Sequence, residues 1–293
     1  MILEQPVARV ALPRWSQVPT EEVVRGLRAT GFDARTRHGI KGNPQPRDLL
    51  VTWSIWGGGK RAALAHQYGA AGARIFVMEN GFLPRVHGQL HTQLAEKVGN
   101  GSGFNGGGVS PTVDDPTRWA SWGIELQPAH GGRYILVCAQ RGTVEINPEI
   151  TYCAGWVDVA MAKIRAPNDM PVLWRPHPGS SRMCLPRLGW GDVVIGDPAV
   201  TSLEEHLAGA SCCVVYSSSS ATAALIAGVP VFHDGHSIIT RDCAVRLDDA
   251  DFERPEIGDR KRMFERIAWL QYSHRELEQA GPWRRLVSQS THA

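Results

Sequence analysis

The sequence lacks the features that mark membrane-spanning, secreted and zinc-binding proteins. It has no uncharged apolar run of about 18 residues, the length that a membrane-spanning helix needs. Its first residues, MILEQPVARV, do not follow the basic-then-apolar order of a signal peptide. The 6 cysteines form no CxxC pair, and Cys212 and Cys213 lie inside an apolar run, so we expect reduced thiols without disulfides or a metal site. These absences predict a soluble protein of the cytoplasm.

An excess of charge of one sign is also missing, since the net charge of the 293 residues is +2. The two halves differ slightly: residues 1–129 hold 14 Lys and Arg against 10 Asp and Glu, and the remainder holds 17 against 19. A mildly basic first half permits an anionic partner there without requiring one. The apolar content of 43% is sufficient for real cores in a chain of about two average domains.

Predicted strands and helices alternate in the first half. VARVAL, DLLVTWS and RIFVMENG have the composition of strands, and EEVVRGLRAT and RAALAHQYGAAG between them have that of helices. This βαβαβ order predicts a parallel sheet. Residues 99–108, GNGSGFNGGG, contain 6 glycines and predict a mobile loop.

A second alternating series begins at RYILVCAQ and continues through MPVLWRPHP, DVVIGD and SCCVVYS. The simplest architecture is two Rossmann-like domains, residues 1–129 and residues 130–258. The last part, DRKRMFERIAWLQYSHRELEQAG, has apolar residues at the spacing of an amphipathic helix. We expect this segment, residues 259–293, to be helical and to pack back across both domains.

Four consecutive serines, Ser217 to Ser220, separate a predicted strand from a short predicted helix that ends at Gly228. In parallel sheets, ligands gather at the carboxyl ends of the strands, where helices begin. A helix N-terminus offers unpaired backbone N–H groups and a partial positive charge, and the hydroxyls add further donors. The pattern predicts a phosphate or diphosphate site. The alternative is a serine-capped helix without a ligand.

The turn WRPHPG follows another predicted strand. Pro176 and Pro178 stiffen this turn and remove two backbone donors, so the side chains of Arg175 and His177 must supply the polar contacts. Both side chains are suited to phosphate oxygens. A buried structural histidine is the alternative. WGGGK, which ends at Lys60, resembles a phosphate-binding turn only loosely, because the full GxxxxGK[ST] pattern is absent.

Taken in order, these motifs resemble a known family. YILVCAQ, RPHP and EEHLAGASCCVVYSSSSATAALIAGVPVF resemble the donor domain of GT-B glycosyltransferases, and most closely those related to bacterial capsule Kdo transferases and polyol-phosphate transferases. MENGFLPR is similar to the acidic E-x-GF-x-R turn of the Kdo-transferase group. The combination of ENGF, the Gly/Asn loop, CAQRG, RPHPG and AWLQYSHREL also resembles glycosyltransferase-like proteins of tailed phages.

The resemblance implies an α/β, GT-B-like fold with two Rossmann-like domains facing across a cleft. It implies a nucleotide-sugar donor held by the second domain, an acceptor held by the first, and no metal or other cofactor. The donor-binding residues are then expected to be Gln140, Arg141, Arg175, Ser217, Ser218, Ser219, Ser220 and Thr222. The acceptor-binding residues are expected to be Trp56, Asn80, Arg85, His87, Phe104 and Asn105. Ala223 stands where many such enzymes have an acidic residue that holds the donor ribose, so the nucleotide stays open.

For the chemistry, Glu79 is the candidate general base. It follows a predicted strand, and Asn80 and Gly81 are expected to form a turn that exposes it. A structural pairing of Glu79 with Arg85 is the alternative. His177 is the second candidate catalytic residue, because with Arg175 and the serine turn it would stabilise the leaving phosphate.

Two histidines after Glu79 are ambiguous. His87 and His91 could face the acceptor, although their spacing of four residues also fits the solvated face of a helix.

The acceptor divides the functional hypotheses. The phage-like pattern suggests transfer to a 5-hydroxymethylpyrimidine, such as 5-hydroxymethylcytosine, in bacteriophage DNA within the host cytoplasm. The loop 99–108 could then close over an extruded base. The capsule-like motifs fit a saccharide acceptor of the capsule or lipopolysaccharide type equally well. A polyol-phosphate transferase and a non-catalytic nucleotide-binding module stay open, as do the sugar, the stereochemical outcome and the oligomeric state.

Overall fold

The structure is a computed structural model that describes residues 5–14, 16–36, 43–55, 59–97, 115–140, 153–165, 169–179, 193–235, 237, 239–240 and 243–288. The chain forms two compact units, one of residues 1–113 with 268–293 and one of residues 114–267. The first unit contains β1 (Val7–Ala11), α1 (Thr20–Arg28), β2 (Asp33–Thr36), β3 (Leu49–Trp53), α2 (Gly59–Ala70), β4 (Arg74–Val86) and β5 (Gln89–Glu96). The second contains α3 (Thr117–Ser121), β6 (Tyr134–Cys138), α4 (Cys153–Arg165), β7 (Val172–Arg175), β8 (Val193–Ile195), α5 (Leu203–Leu207), β9 (Ala210–Val215), α6 (Ser220–Ala227), β10 (Val231–His233), β11 (Val245–Arg246) and α7 (Arg260–Ile267). The chain then returns to the first unit with β12 (Gln271–Ser273), α8 (His274–Leu277) and α9 (Ala280–Ser288).

This division differs from the predicted boundaries after residues 129 and 258. Residues that precede β6 belong to the second unit because α3 packs on α7, where the rings of Trp119 and Phe264 stack with centroids 4.5 Å apart. Nη1 of Arg260 donates to the carbonyl of Leu225 at 2.5 Å. These contacts hold both ends of the segment 114–267 in one unit.

Among the described residues, six strands form the sheet of the first unit in the order β12-β5-β4-β3-β1-β2. The four strands from β4 to β2 are parallel, as the βαβαβ pattern predicts, whereas β5 and β12 add antiparallel strands at one edge. Alternate residues such as Val10 and Met78 face one side of the sheet and pack with Leu27 of α1 and Trp283 of α9. The unpredicted strand β5 therefore extends an otherwise parallel sheet.

The C-terminal segment is not the single amphipathic helix that we predicted. Met263 and Ile267 are buried in α7 as expected, but the helix ends there and the chain continues through a 3₁₀ turn into β12. Gln271, Tyr272 and Ser273 are buried opposite β5. Pairing with β5 thus outweighs the helical spacing of the apolar residues. A new helix, α8, begins after β12 with a capping box between Ser273 and Glu276.

The sheet of the second unit is parallel throughout the described residues, in the order β11-β10-β9-β6-β7-β8. Its strands are almost wholly apolar, as expected when helices cover both faces of a sheet. Val137, Trp174 and Val214 share a core with Trp156 of α4. α6 ends at Gly228, as predicted, where φ is 82° and a Cβ atom would lie 2.1 Å from the carbonyl oxygen of Pro128.

Within the described part of the chain, no helix combines the length and the apolar character that crossing a membrane requires.

Candidate active site

The strand order of the second unit reverses at β6. From β6 the chain proceeds to β7 and β8 on one side, and then crosses to β9 on the other side. Such a switch point opens a crevice beyond the carboxyl ends of the two central strands, which is where parallel sheets bind ligands. Immediately after β6 and β9, Nε2 of Gln140 donates to Oγ of Ser217 at 2.9 Å. Two of the predicted donor-binding residues are therefore in direct contact.

The four serines take different positions at the end of β9. Ser217 is buried, whereas Ser219 is exposed immediately before α6. Oγ of Ser218 accepts the backbone N–H of Ser220 at 3.2 Å and its hydroxyl at 2.8 Å. Thus Ser218 and Ser220 close the turn, while Ser217 joins it to the end of β6.

The backbone N–H groups at the start of α6 are not unpaired, contrary to our expectation. Ala221 N–H donates to the carbonyl of Ser218 at 3.1 Å and Thr222 N–H to that of Ser219 at 3.0 Å. Together with the Ser218–Ser220 bond, they form a tight first turn that uses its own acceptors. Among the described residues, the buried Oγ1 of Thr222 has no hydrogen-bond partner. A phosphate at this turn would consequently interact with hydroxyls and the helix dipole more than with free amides.

Arg175 is buried at the carboxyl end of β7. Its Nη1 donates to the carbonyl of Thr201 at 2.7 Å and to Nδ1 of His206 at 2.8 Å. Because an arginine side chain cannot accept a hydrogen bond, Nδ1 of His206 is the acceptor. Burial, and to a smaller extent the charge of Arg175, lowers the pKa of His206. These contacts attach the end of β7 to α5, so Arg175 positions the turn that carries His177.

His177 lies beyond Arg175 in the same turn and is partly buried. The N–H of Gly179 donates to its Nδ1 at 2.9 Å. With Nδ1 acting as the acceptor, the neutral ring carries its proton on Nε2. The hydrogen bond from Gly179 thus fixes the ring proton of His177 on Nε2. An N–H group at that atom is the kind of donor that could stabilise a leaving phosphate.

Two thiols lie next to the serine turn. Sγ of Cys213 donates to Sγ of Cys138 at 3.8 Å, and this bond is the largest cause of the raised pKa of Cys213. Burial raises the pKa of Cys212 to about 12. Cys138, Cys212, Cys213 and Cys243 are buried thiols, and within the described residues no cluster of His, Cys, Asp and Glu could hold a metal ion.

Glu79 occupies a strand rather than the end of one. β4 continues past Asn80 and Gly81 to Val86, and Glu79 is paired opposite Gln93 of β5. The predicted turn at Asn80 and Gly81 is wrong because β4 stays extended there, although its pairing with β5 is interrupted between Asn80 and Arg85. However, Trp53 opposite Met78 is the last pair between β3 and β4, so the partly buried Glu79 lies just past the carboxyl end of β3. A general base at this position has a fixed backbone.

The actual hairpin turn is at His87 and Gly88, whose φ angles are 48° and 75°. Two consecutive positive φ angles are typical of a type I′ turn. Arg85 and His87 are exposed at this tip, whereas Asn80 remains beside Glu79 and accepts Nε2 of Gln93 on its carbonyl at 2.7 Å. His91 is buried in β5, so the solvated helix face that we considered for His87 and His91 is wrong.

Several predicted site residues lie outside the described residues. They are Trp56, Phe104, Asn105 and Arg141, together with the rest of the loop 99–108.

The sequence interpretation missed a cavity in the first unit. It has a volume of about 350 Å³ and is lined by residues from β1 and α2, among them Arg9, Lys60 and Arg61. The available signals were the arginine within the apolar strand VARVA and the lysine that ends WGGGK.

The two α/β units, the second with a parallel Rossmann-like sheet and a serine turn at its switch point, have the architecture of the GT-B fold class. The KpsC β-Kdo 2,4 transferase of Thermosulfurimonas dismutans is similar, with a TM-score of 0.58 and 15% identity over 92% of this chain and 92% of that one. The KpsC β-Kdo 2,7 transferase of the same organism has a TM-score of 0.54 and 13% identity over 95% of this chain and 99% of that one. No protein-family model and no curated protein sequence matches. The predicted GT-B fold is therefore confirmed, at identities that establish the fold alone.

Proposed function

We propose that this protein is a glycosyltransferase that moves a sugar from a nucleotide-sugar to an acceptor hydroxyl. The observation that carries the proposal is the contact between Gln140 and Ser217 at the switch point of the second unit. Polar side chains at that place serve ligands in open parallel sheets. The similarity in fold to two Kdo transferases adds support.

In the proposed reaction, the bond between the sugar and the donor phosphate breaks as the acceptor oxygen bonds to the sugar. Negative charge develops on the departing nucleoside phosphate. Nε2 of His177 donates a hydrogen bond to it, and the start of α6 contributes the positive end of its dipole. Preorganised donors of this kind need no rearrangement as the charge develops.

The acceptor hydroxyl must also lose a proton. Glu79 is the proposed general base, and its carboxylate would take that proton. Placement within a strand restricts the backbone on both sides of Glu79, so only the side chain adjusts to the acceptor. This restriction favours a reproducible distance between carboxylate and hydroxyl.

For the acceptor, we propose a 5-hydroxymethylpyrimidine in DNA as the first candidate. The support is the similarity of the sequence motifs to phage glycosyltransferase-like proteins and the basic side chains of the first unit. A saccharide is the second candidate, because the two similar structures are Kdo transferases by name. Both candidates present a primary or secondary hydroxyl, so the proposed catalytic groups serve either one.

One experiment tests both the activity and the acceptor. The protein is incubated with a mixture of nucleotide-sugars and either DNA containing 5-hydroxymethylcytosine or 5-hydroxymethyluracil, or an acidic oligosaccharide. Mass spectrometry of the digested nucleosides and of the oligosaccharide then detects an added sugar. A mass increase on the nucleoside supports the DNA acceptor, and an increase on the oligosaccharide alone contradicts it.

The same reactions test the remaining alternatives. Transfer of a phosphoryl-linked group from a CDP-linked donor would identify a polyol-phosphate transferase. If no donor is consumed while nucleotides bind, the protein is a nucleotide-binding module and the proposed enzymatic function is wrong. Glu79→Gln separates these outcomes further, because it should abolish turnover without affecting nucleotide binding.

A further inference from the structure

The cavity of the first unit lies where β1 ends and α2 begins. Ala11 and Leu12 form the strand side, and Lys60, Arg61 and Gln67 form the helix side. Its volume of about 350 Å³ is within the range of about 300–1,000 Å³ that is common for small-molecule sites. The cavity can accommodate a group of the size of a sugar or a nucleotide.

Arg9 supplies a cation to the cavity from β1. Along β1, Ala8 and Val10 are buried in the apolar core, and Arg9 points to the opposite face, which α2 covers. On that face Arg9 forms a hydrogen bond with Tyr68. Burial raises the pKa of Tyr68, and the charge of Arg9 and this hydrogen bond partly offset the increase. Among the described residues, no acceptor bonds the buried Nε of Arg9. Arg9 therefore combines a place in the lining of the cavity with a buried N–H group that has no acceptor among the described residues.

Two further cations come from the first turn of α2. Lys60 is exposed, and Arg61 is partly buried, with its Nε donating to the carbonyl of Ser54 at 3.3 Å. No carboxylate is among the residues that line the cavity within the described part of the chain. The nearby Asp48 instead accepts the N–H groups of Val7 and Gln45, at 3.0 Å and 2.8 Å. Three converging cations without a lining carboxylate repel one another, and an anion would relieve that repulsion.

Backbone strain occurs at the hydrogen-bond partner of Arg61. Ser54, which follows β3 and receives the bond from Arg61, has a φ of 26°. Non-glycine residues with positive φ are uncommon and occur disproportionately at ligand sites. The carbonyl of Ser54 accepts the hydrogen bond from Arg61, a residue that lines the cavity.

We propose that this cavity binds a phosphate ester group of the acceptor through Arg9, Lys60 and Arg61. Guanidinium groups bind phosphate oxygens in a forked geometry, and the ammonium of Lys60 adds a point charge. The assignment of the bound group to the acceptor rests on the proposed glycosyltransferase function. Binding of the phosphate ester itself does not depend on turnover. The phosphate ester can belong to a nucleic-acid backbone or to a phosphorylated sugar.

Isothermal titration at low ionic strength tests the site with inorganic phosphate, a 5′-phosphorylated thymidine dinucleotide and glucose 1-phosphate. We expect Arg9→Met with Lys60→Met to weaken cavity binding by about 10-fold or more, since charge-assisted hydrogen bonds are the strong ones. Arg9→Lys should retain part of the affinity, because it keeps the charge and loses the fork. Lys60→Met alone changes an exposed side chain, so it reports on binding even if the double variant folds poorly.

The matched control is Lys261→Met, which removes an exposed lysine of α7 that lies outside the cavity lining and should leave the binding of all three probes unchanged. Binding of the dinucleotide but not of the sugar phosphate would identify a nucleic-acid source, and the reverse would identify a sugar phosphate. Equal affinity of the wild type and Lys60→Met for all three probes, no binding by the wild type, or binding of inorganic phosphate alone would overturn the proposal. If the wild type binds phosphate in the cavity but transfers no sugar, only the proposed function is contradicted.

Discussion

The two units place polar groups at the carboxyl ends of their strands in different ways. In the second unit the groups bond to one another: Gln140 to Ser217, Ser218 to Ser220, and Arg175 to His206. In the first unit, Arg9, Lys60 and Arg61 converge on a cavity without a lining carboxylate among the described residues. The proposed site of the second unit would be organised before a ligand arrives, whereas the proposed site of the first unit would gain electrostatic stabilisation when an anion arrives.

The sheets differ in a way that matches this contrast. The second sheet is parallel throughout the described residues, and the described site residues that we predicted there lie at the end of a strand, in the loop after it or in the first turn of α6. The first sheet continues as the antiparallel strands β5 and β12, and Glu79 lies where the parallel register stops. A polar residue that follows an apolar run in the sequence therefore lies near a strand end in the second unit, whereas Glu79 lies within a strand in the first.

The comparison is tested most strongly by Glu79→Gln. The change removes the proposed base while keeping the size of the side chain, so we expect turnover to fall by about two to four orders of magnitude. Nucleotide affinity and the circular dichroism spectrum should be unchanged. Glu96→Gln is the matched control, because Glu96 is a carboxylate of β5 whose partner is Arg74 at 2.8 Å. Full activity of Glu79→Gln would remove Glu79 from the mechanism.

Trp283→Ala tests whether the C-terminal segment is an integral part of the first unit. Trp283 is fully buried, its Nε1 donates to the carbonyl of Leu277 at 2.8 Å, and it shares the core with residues of β1 and α1. Replacing a buried tryptophan by alanine costs about 3–5 kcal/mol of the free energy of unfolding. Urea denaturation measures this loss, and the exposed neighbour Arg284, changed to Ala, is the control. A loss below about 1 kcal/mol would contradict the packing described for α9.

Local patterns in the sequence predicted much of this fold. The strands β1, β3, β6, β7 and β9 were recognisable from apolar runs, and the Ser-x-x-Glu spacing of Ser202 and Glu205 indicates the capping box that begins α5, with bonds of 2.8 Å and 3.1 Å. These features depend on residues that are neighbours in the chain. The same holds for the serine turn and the RPHP turn, so the candidate site of the second unit could be located.

Pairings between distant residues could not be predicted in this way. β12 forms by pairing with the edge of β5, which lies far earlier in the chain. In this pairing Gln271 stands opposite Gln93. The extended conformation of Glu79 depends on the same strand β5. Likewise, Arg9 and Lys60 meet only after α2 folds over β1. A single sequence contains no local signal for such meetings, which is why the hairpin and the cavity were missed.

A third prediction concerns nucleotide binding by the second unit. His177→Ala combined with Ser218→Ala removes the Nε2 donor and opens the serine turn, so we expect nucleotide affinity to fall by about 10- to 100-fold. His177→Ala alone should have a larger effect than any single serine change. Isothermal titration with UDP, CMP, CDP and GDP measures the affinities, and Lys261→Met, which removes an exposed lysine outside both candidate sites, is the control. Equal affinity of the double variant and the wild type would exclude this site.

The smallest expected effect is a pH dependence that arises from the second unit. Burial and the charge of Arg175 lower the pKa of His206 below its usual value of 6.5, so the folded state holds fewer protons than the unfolded state near that pH. Stability contributed by the neutral ring is therefore fully present above about pH 6.5 and is lost as the pH falls towards the lowered pKa. Protonation would also break the bond from Arg175 to Nδ1, which is 2.8 Å long. His206→Asn keeps an acceptor there without a titrating group, so its urea midpoint should change less than that of the wild type between about pH 7 and pH 5. The exposed His66, changed to Gln, should leave the wild-type pH profile as it is. If the profiles of His206→Asn and the wild type coincide, the ring of His206 does not contribute to the acid sensitivity of the fold.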